Sequence, residues 1–218
     1  NILNGYSHNN DFEGLIMPAG KKVTPQYEKR KAEIIQNAMK LFSTKGFDAT
    51  STNDICWAAR MTKPSLYHYF SSKNHLLFSV HMYAIDNLLR PYLAAAGSIE
   101  DPRERLKMMI REYARAILTH PELRFLLHES LTVKDKYYGE IRKEWRRLYD
   151  LFRATIGELQ STGVMPKDVE PSWSALLLLG MVTWITFWFD YKRKDHMDDI
   201  IELALRMGFK SLGLPEPA

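Results

Sequence analysis

A single cysteine, Cys56, stands among 218 residues. It excludes an internal disulfide and a thiolate zinc site, so the expectation is a reducing compartment, the cytoplasm. Catalytic signatures are as scarce. The seven histidines are dispersed, with no HExxH, no carboxylate pair at ligand spacing and no GxSxG or GxGxxG. These absences argue against a metallohydrolase, a nucleophile-elbow hydrolase and a dinucleotide enzyme, and no cofactor or metal is expected. The opening residues NILNGYSHNNDFEG show neither a helical period nor the basic-then-apolar pattern of a signal peptide, and 1–25 read as a flexible tail. No internal repeat, low-complexity tract or convincing strand pattern occurs.

The residues present describe a globular, all-α chain. Hydrophobic residues make up 45% and charged residues 26%, and a chain of this length buries roughly 70% of its unfolded surface. The net charge of +4 is unevenly spread: 20–75 hold ten basic against four acidic residues, +6, leaving −2 elsewhere. Such a concentration fits either a polyanion partner or a solvated basic face. Helical periodicity and breakers divide the chain into about nine helices, near 27–45, 52–59, 63–70, 73–93, 102–119, 121–131, 135–161, 171–191 and 195–212. On the seventh of these, Trp145, Leu148, Tyr149, Phe152 and Ile156 form the expected buried stripe. Two units follow: 26–75, and a larger helical unit over 76–218.

The short helix ending in Ala58-Ala59-Arg60, a tight turn and a helix starting at Lys63 have the spacing of a helix-turn-helix, whose second helix enters the DNA major groove. That second helix carries Lys63, Ser65, Tyr67, His68 and Tyr69, with Lys73 beyond it and Thr52 at the preceding N-terminus; all can hydrogen-bond to DNA. Leu66 and Phe70, four apart, point inward. Over 35–77 the run Ala38 to Phe42, Gly46-Phe47, Thr52, Asp54-Ile55, Ala58-Ala59 and the stretch SLYHYFSSK from Ser65 closely resemble the DNA-binding domain of the TetR family of transcriptional regulators. The resemblance implies base-edge roles for Lys63, Pro64 and Ser65, and phosphate roles for Thr52, Tyr67, His68, Tyr69 and Lys73. Arg60 departs from the family, which usually has glycine in the turn. A left-handed arginine there costs roughly 1 kcal/mol, which a phosphate contact would offset.

The resemblance also implies that the C-terminal helices form a ligand pocket and that the last two pair with their copies in a homodimer. Those two helices are the most apolar part of the chain, with Trp173, Trp184, Phe187, Trp188 and Phe209. Residues 173–189 run seventeen positions without a charge. The run is shorter than the about 20 residues of a membrane span, contains Ser174, Gly180, Thr183 and Thr186, and reads as a helix buried on one side by its own core and on the other by a partner. The competing reading of the whole chain is a helical interaction or membrane-associated module without sequence-specific DNA binding. Tyr113, Arg146, Tyr149, Phe152 and Trp184 are the pocket candidates, from helices expected to converge. An apolar pocket suits a small hydrophobic effector. Because some members of the family it resembles bind acyl-CoA thioesters, and Arg146 could meet the anionic head, the resemblance slightly favours an acyl-CoA thioester over an aromatic cation near Glu129 or Asp150. The function the resemblance implies is a repressor binding a pseudo-palindromic operator as a homodimer.

Overall fold

Thr24 opens the first helix: its hydroxyl accepts from the Tyr27 N–H at 3.2 Å, and Pro25 fills the first position, where a missing N–H costs nothing. The computed structural model describes residues 24–129, 138–192 and 195–216. Most of the expected tail, 1–23, lies outside the described residues, but Thr24 and Pro25 belong to α1 (Pro25–Lys45), two residues earlier than the periodicity suggests. There follow α2 (Thr52–Ala58), α3 (Lys63–Tyr69), α4 (Lys73–Ala84), a π-helical segment (Ile85–Leu89), α5 (Arg90–Gly97), α6 (Pro102–Thr119), α7 (Glu122–Glu129), α8 (Tyr138–Ser161), α9 (Pro171–Thr183), α10 (Ile185–Trp188) and α11 (Met197–Ser211). The described residues contain no strand. Since α4, the π segment and α5 form one rod, and α10 resumes one residue after α9, the described residues make nine helical rods, as expected. The expected last residues of the sixth helix, 130–131, and the first of the seventh, 135–137, lie outside the described residues.

The fourth helix reaches Gly97 rather than about Leu93, and it is not uniform. Pro91 explains both its irregularity and its place. Proline has no N–H for the carbonyl four residues back, and its ring presses on that carbonyl. The chain widens by one residue instead, the Arg90 N–H reaching Ile85 O, and α5 restarts with Pro91 in its first turn. On α8 the buried stripe is Ile141, Glu144, Leu148, Phe152, Thr155, Ile156 and Leu159; Trp145 and Tyr149, expected in it, are half-buried on its flank.

One apolar cluster runs from Ile34 in α1 to Leu214 after α11, so the two expected units share a core. Helix α1 packs on α4 and α7, with Phe42 against Phe125 at 5.8 Å between ring centroids. Farther along, α6, α8, α9 and α11 pack together, and the hydroxyl groups of Tyr113 and Thr183, 2.7 Å apart, join α6 to α9. Residues Pro171–Trp188 are long and apolar enough to cross a membrane. Their inner stripe, Ala175, Leu178, Val182 and Ile185, is however part of this core, while Trp173, Leu177, Trp184 and Trp188 are exposed.

Candidate nucleic-acid interface

The second and third helices are too short to hold themselves and depend on caps and packing. Ser51 caps α2 in a reciprocal box: its hydroxyl accepts from the Asp54 N–H at 3.1 Å and the Asp54 carboxylate accepts from the Ser51 N–H at 2.7 Å. Lys45 at the end of α1 pairs with the same carboxylate at 2.8 Å. These bonds, the Lys45 contact first, hold the Asp54 carboxyl far below its usual range. Thr62 caps α3, its hydroxyl meeting the Ser65 N–H at 3.4 Å and the Ser65 hydroxyl at 3.0 Å.

Between the two helices the chain reverses through a Schellman turn. Met61 N–H bonds to Cys56 O at 2.9 Å and Arg60 N–H to Trp57 O at 3.1 Å, with Arg60 at φ +50°. Arg60 is the one non-glycine residue with positive φ among those described, in the position glycine usually fills. From α1, the Arg30 guanidinium donates to Ala59 O at 2.6 Å and to Glu33 at 2.8 Å, placing a cation at the C-terminus of α2, where the helix dipole favours one. Arg30 was not among the sequence candidates. An arginine one helical period before the Ile34 stripe carries no signal of this contact, because its partner is 29 residues away.

Around this frame α3 divides cleanly. Leu66 and, just after it, Phe70 are buried, whereas Lys63, Pro64, Ser65, Tyr67 and His68 are exposed. Among the described residues, Arg60 and Lys63 have no ion-pair partner, so both charges are available to a phosphate. Thr52, Tyr67 and Lys73, from α2, α3 and α4, border one crevice of about 10 Å³, together with Ser72. The Lys73 ammonium lies 4.1 Å from the centroid of the Phe47 ring. Tyr69 differs from the other candidates: it is half-buried, its ring stacked on Tyr27 and edge-on to His68. Thus eight of the nine candidates border the turn, the crevice or the exposed face of α3, and Tyr69 is mainly packed.

The five effector-pocket candidates are not gathered in the same way. Phe152 is in the core, and Tyr113 is buried, its phenol pushed up to about 12 by burial despite the Thr183 bond. Arg146 is 65% exposed, 3.8 Å from Asp150 and over the half-buried Tyr149 ring at 5.8 Å. Trp184 is 61% exposed and stacks on Phe187 at 4.5 Å, on the outer apolar face. Asp150 also faces Arg153 at 3.7 Å; the side chain of Glu129 lies outside the described residues. A groove of about 400 Å³ opens elsewhere, between α5 and α8, lined by Arg90, Leu93, Ala94, Arg147 and Leu151, none of them a sequence candidate.

Comparison with known proteins agrees with this geometry. The family described as bacterial regulatory proteins, tetR family, matches residues 34–80, and the tetracyclin repressor-like C-terminal domain matches residues 100–212. The HTH-type transcriptional regulator AcrR of Shigella flexneri is 23% identical over 211 residues, covering 91% of this chain and 98% of that protein. The HTH-type transcriptional repressor KstR2 of Mycobacterium tuberculosis is 30% identical over 99 residues, 45% of this chain and 50% of that one. Among solved structures, AibR in complex with isovaleryl coenzyme A and operator DNA superposes with a TM-score of 0.71 at 28% identity, over 80% of this chain and 97% of that one. With both halves of the family matched, and a helix-turn-helix whose outward face is polar and whose inward face is sealed, the chain belongs to the TetR family of transcriptional regulators.

Proposed function

We propose that the chain is a repressor acting as a cytoplasmic homodimer, that it grips a pseudo-palindromic operator with α3, and that a small hydrophobic effector releases it. The observation that carries the DNA reading is the split of α3: Lys63, Pro64, Ser65, Tyr67 and His68 face out while Leu66 is sealed inside. Lys63, Pro64 and Ser65 read base edges. Thr52, Arg60, Tyr67, His68 and Lys73 serve the phosphates, while Tyr69 packs on Tyr27 and supports them; the crevice shared by Thr52, Tyr67 and Lys73 is a ready set of two hydroxyls and an ammonium. A two-fold dimer places its two copies of α3 about one helical turn, roughly 34 Å, apart or at a multiple of it.

For the effector, an acyl-CoA thioester is favoured over an aromatic cation. Asp150, one of two carboxylates offered to a cation, already lies between Arg146 and Arg153, which disfavours a further cation there. AibR, whose structure holds isovaleryl coenzyme A and operator DNA, is a relative in the same fold. The effector acts on the α4–α5 rod, which begins at Lys73 beside α3 and runs into the effector region. A tenfold loss of operator affinity needs about 1.4 kcal/mol of preference for the released arrangement.

The test is anisotropy with labelled DNA from upstream of the gene, at two salt concentrations. Specific binding that weakens steeply with salt is expected. Operator binding unchanged in the triple variant Lys63→Ala, Tyr67→Ala, Lys73→Ala sinks the DNA reading. Release by aromatic cations and not by acyl-CoA thioesters overturns the choice of effector.

A further inference from the structure

Trp57, on α2, is the most exposed large apolar residue among those described, at 86%. It stands apart from the outer face of α9 and α10 that carries Trp173, Trp184 and Trp188. Tryptophan is highly buried on average because its ring is so large an apolar surface, so a bare indole calls for a surface that covers it. Its surroundings fix which surface that is. Helix α2 is bounded on one flank by α1, through Lys45 on Asp54 and Arg30 on Ala59 O. On another flank Thr52 and Ile55 border the crevice shared with Tyr67 and Lys73. Ile55, Cys56 and Ala59 are sealed in the core. What remains of α2 and its turn is one exposed stripe at helical spacing, Asn53, Trp57 and Arg60.

This stripe is continuous with the candidate DNA interface at both ends. Asn53 follows Thr52 of the crevice, and Arg60 opens the turn into Lys63. Burial raises the Cys56 thiol and the charge of Lys63 opposes it, so the start of α3 lies beside the residue that precedes Trp57. Arg60 and Lys63, the two cations of the turn, therefore flank the indole with positive charge that suits a polyanion. In a helix-turn-helix the second helix enters the groove while the first crosses the sugar–phosphate backbone. We infer that Trp57 grips that backbone: its Nε1–H donates to a phosphate oxygen and its ring lies on the adjoining deoxyribose, extending the contacts of α2 from Thr52 toward Arg60. This rests on the DNA reading above and adds to it a residue that reads no base. Thr52 and Trp57 are about 7.5 Å apart along the helix, so Trp57 meets a different phosphate from the one at the crevice. A neutral indole displaces no counterion, which separates its contribution from that of Arg60.

Anisotropy of the full-length protein with labelled operator from upstream of the gene, and with a scrambled duplex of the same length, tests the contact. Trp57→Ala is expected to bind both duplexes about tenfold more weakly than wild type, with an unchanged logarithmic salt slope. Trp57→Phe, which keeps a ring and loses the N–H, is expected to fall between the two. Thermal midpoints of both variants are expected within about 2 °C of wild type, since the exposed ring supports no packing. Operators carrying one neutral methylphosphonate at a time locate the bond. At one position in each half-site the replacement is expected to weaken wild type about tenfold more than it weakens Trp57→Phe. Trp57→Ala binding both duplexes as wild type does, or the same methylphosphonate profile in wild type and Trp57→Phe, overturns the contact and leaves the DNA reading standing. A loss confined to the operator puts Trp57 on a base edge and overturns it as well. So does a loss of cooperativity between two dimers on one long duplex, which puts Trp57 between copies of the chain. Wild type that binds neither duplex overturns the DNA reading and the contact together.

Discussion

Tyr27, in the first turn of α1, stacks on Tyr69, the last residue of α3, with ring centroids 4.7 Å apart and planes 22° from parallel. The contact joins residues 42 positions apart and fixes the C-terminal end of α3, the helix proposed to read DNA, to the start of the chain's first helix. Burial, the larger cause, and the neighbouring charges of Glu28 and Tyr69 raise the Tyr27 phenol above its usual range, as expected of a ring used for packing. A double-mutant cycle over Tyr27→Ala and Tyr69→Ala, read by urea unfolding, is expected to give a coupling of about 0.5–1.5 kcal/mol. Tyr27→Ala, although it removes no DNA-facing group of α3, is expected to weaken operator binding several-fold. No coupling, with unaltered DNA binding, would mean that α3 is held by Leu66 and Phe70 alone.

Arg60 occupies a left-handed position in the turn between α2 and α3. Replacing it with glycine relieves about 1–2 kcal/mol of backbone strain and adds chain entropy to the unfolded state worth about half of that, so Arg60→Gly is expected to stabilise the fold by about 0.5–1 kcal/mol. Thermal unfolding measures this. The same variant is expected to bind DNA more weakly, with the logarithmic salt slope shallower by about 0.9 for one lost phosphate contact. A variant equally stable and equally salt-sensitive would contradict both halves.

His81 is buried in α4, its Nε2 without a hydrogen-bond partner, and burial lowers its pKa to about 4. With the folded value depressed below the unfolded 6.5, the unfolded chain takes up the proton first as pH falls. The contribution of neutral His81 is complete above 6.5 and is lost between there and about 4. Between about pH 7 and pH 5 this amounts to roughly 2 kcal/mol. In His81→Leu the loss of stability over that window is expected to be smaller by the same amount, measured by urea midpoints at each pH; identical acid limbs in the two proteins would refute it.

Leu177 and Trp184, 74% and 61% exposed, lie on an outer apolar face with Trp173, Trp188 and, from the neighbouring α11, Leu203 and Met207. If that face holds the homodimer, Leu177→Glu with Trp184→Glu is expected to sediment as a monomer at micromolar concentration. Operator affinity is expected to drop by about 100-fold or more, because two half-sites are no longer held together. A wild-type monomer under those conditions removes the dimer.

By itself the sequence determined the helix content, the inward pair Leu66 and Phe70, the position of Pro64 in the first turn of α3 and the concentration of positive charge in the first third of the chain. These follow from local rules: the helical period and a proline where no N–H is needed. The left-handed state of Arg60 was only suggested in advance, by the glycine that usually stands there in the family the sequence resembles; the Schellman turn that requires it came from the structure. Tertiary structure decided everything that depends on which helices meet. It set Tyr69 against Tyr27 and Arg30 against Ala59, turned Arg146 and Trp184 outward while Phe152 went inward, and brought Arg90 and Arg147, 57 positions apart, to one carboxylate on α8. A helical period says which residues share a face and leaves the neighbour of that face unspecified. The five pocket candidates were therefore individually reasonable in helix placement and yet did not assemble, while a groove formed where Pro91 had disturbed the rod.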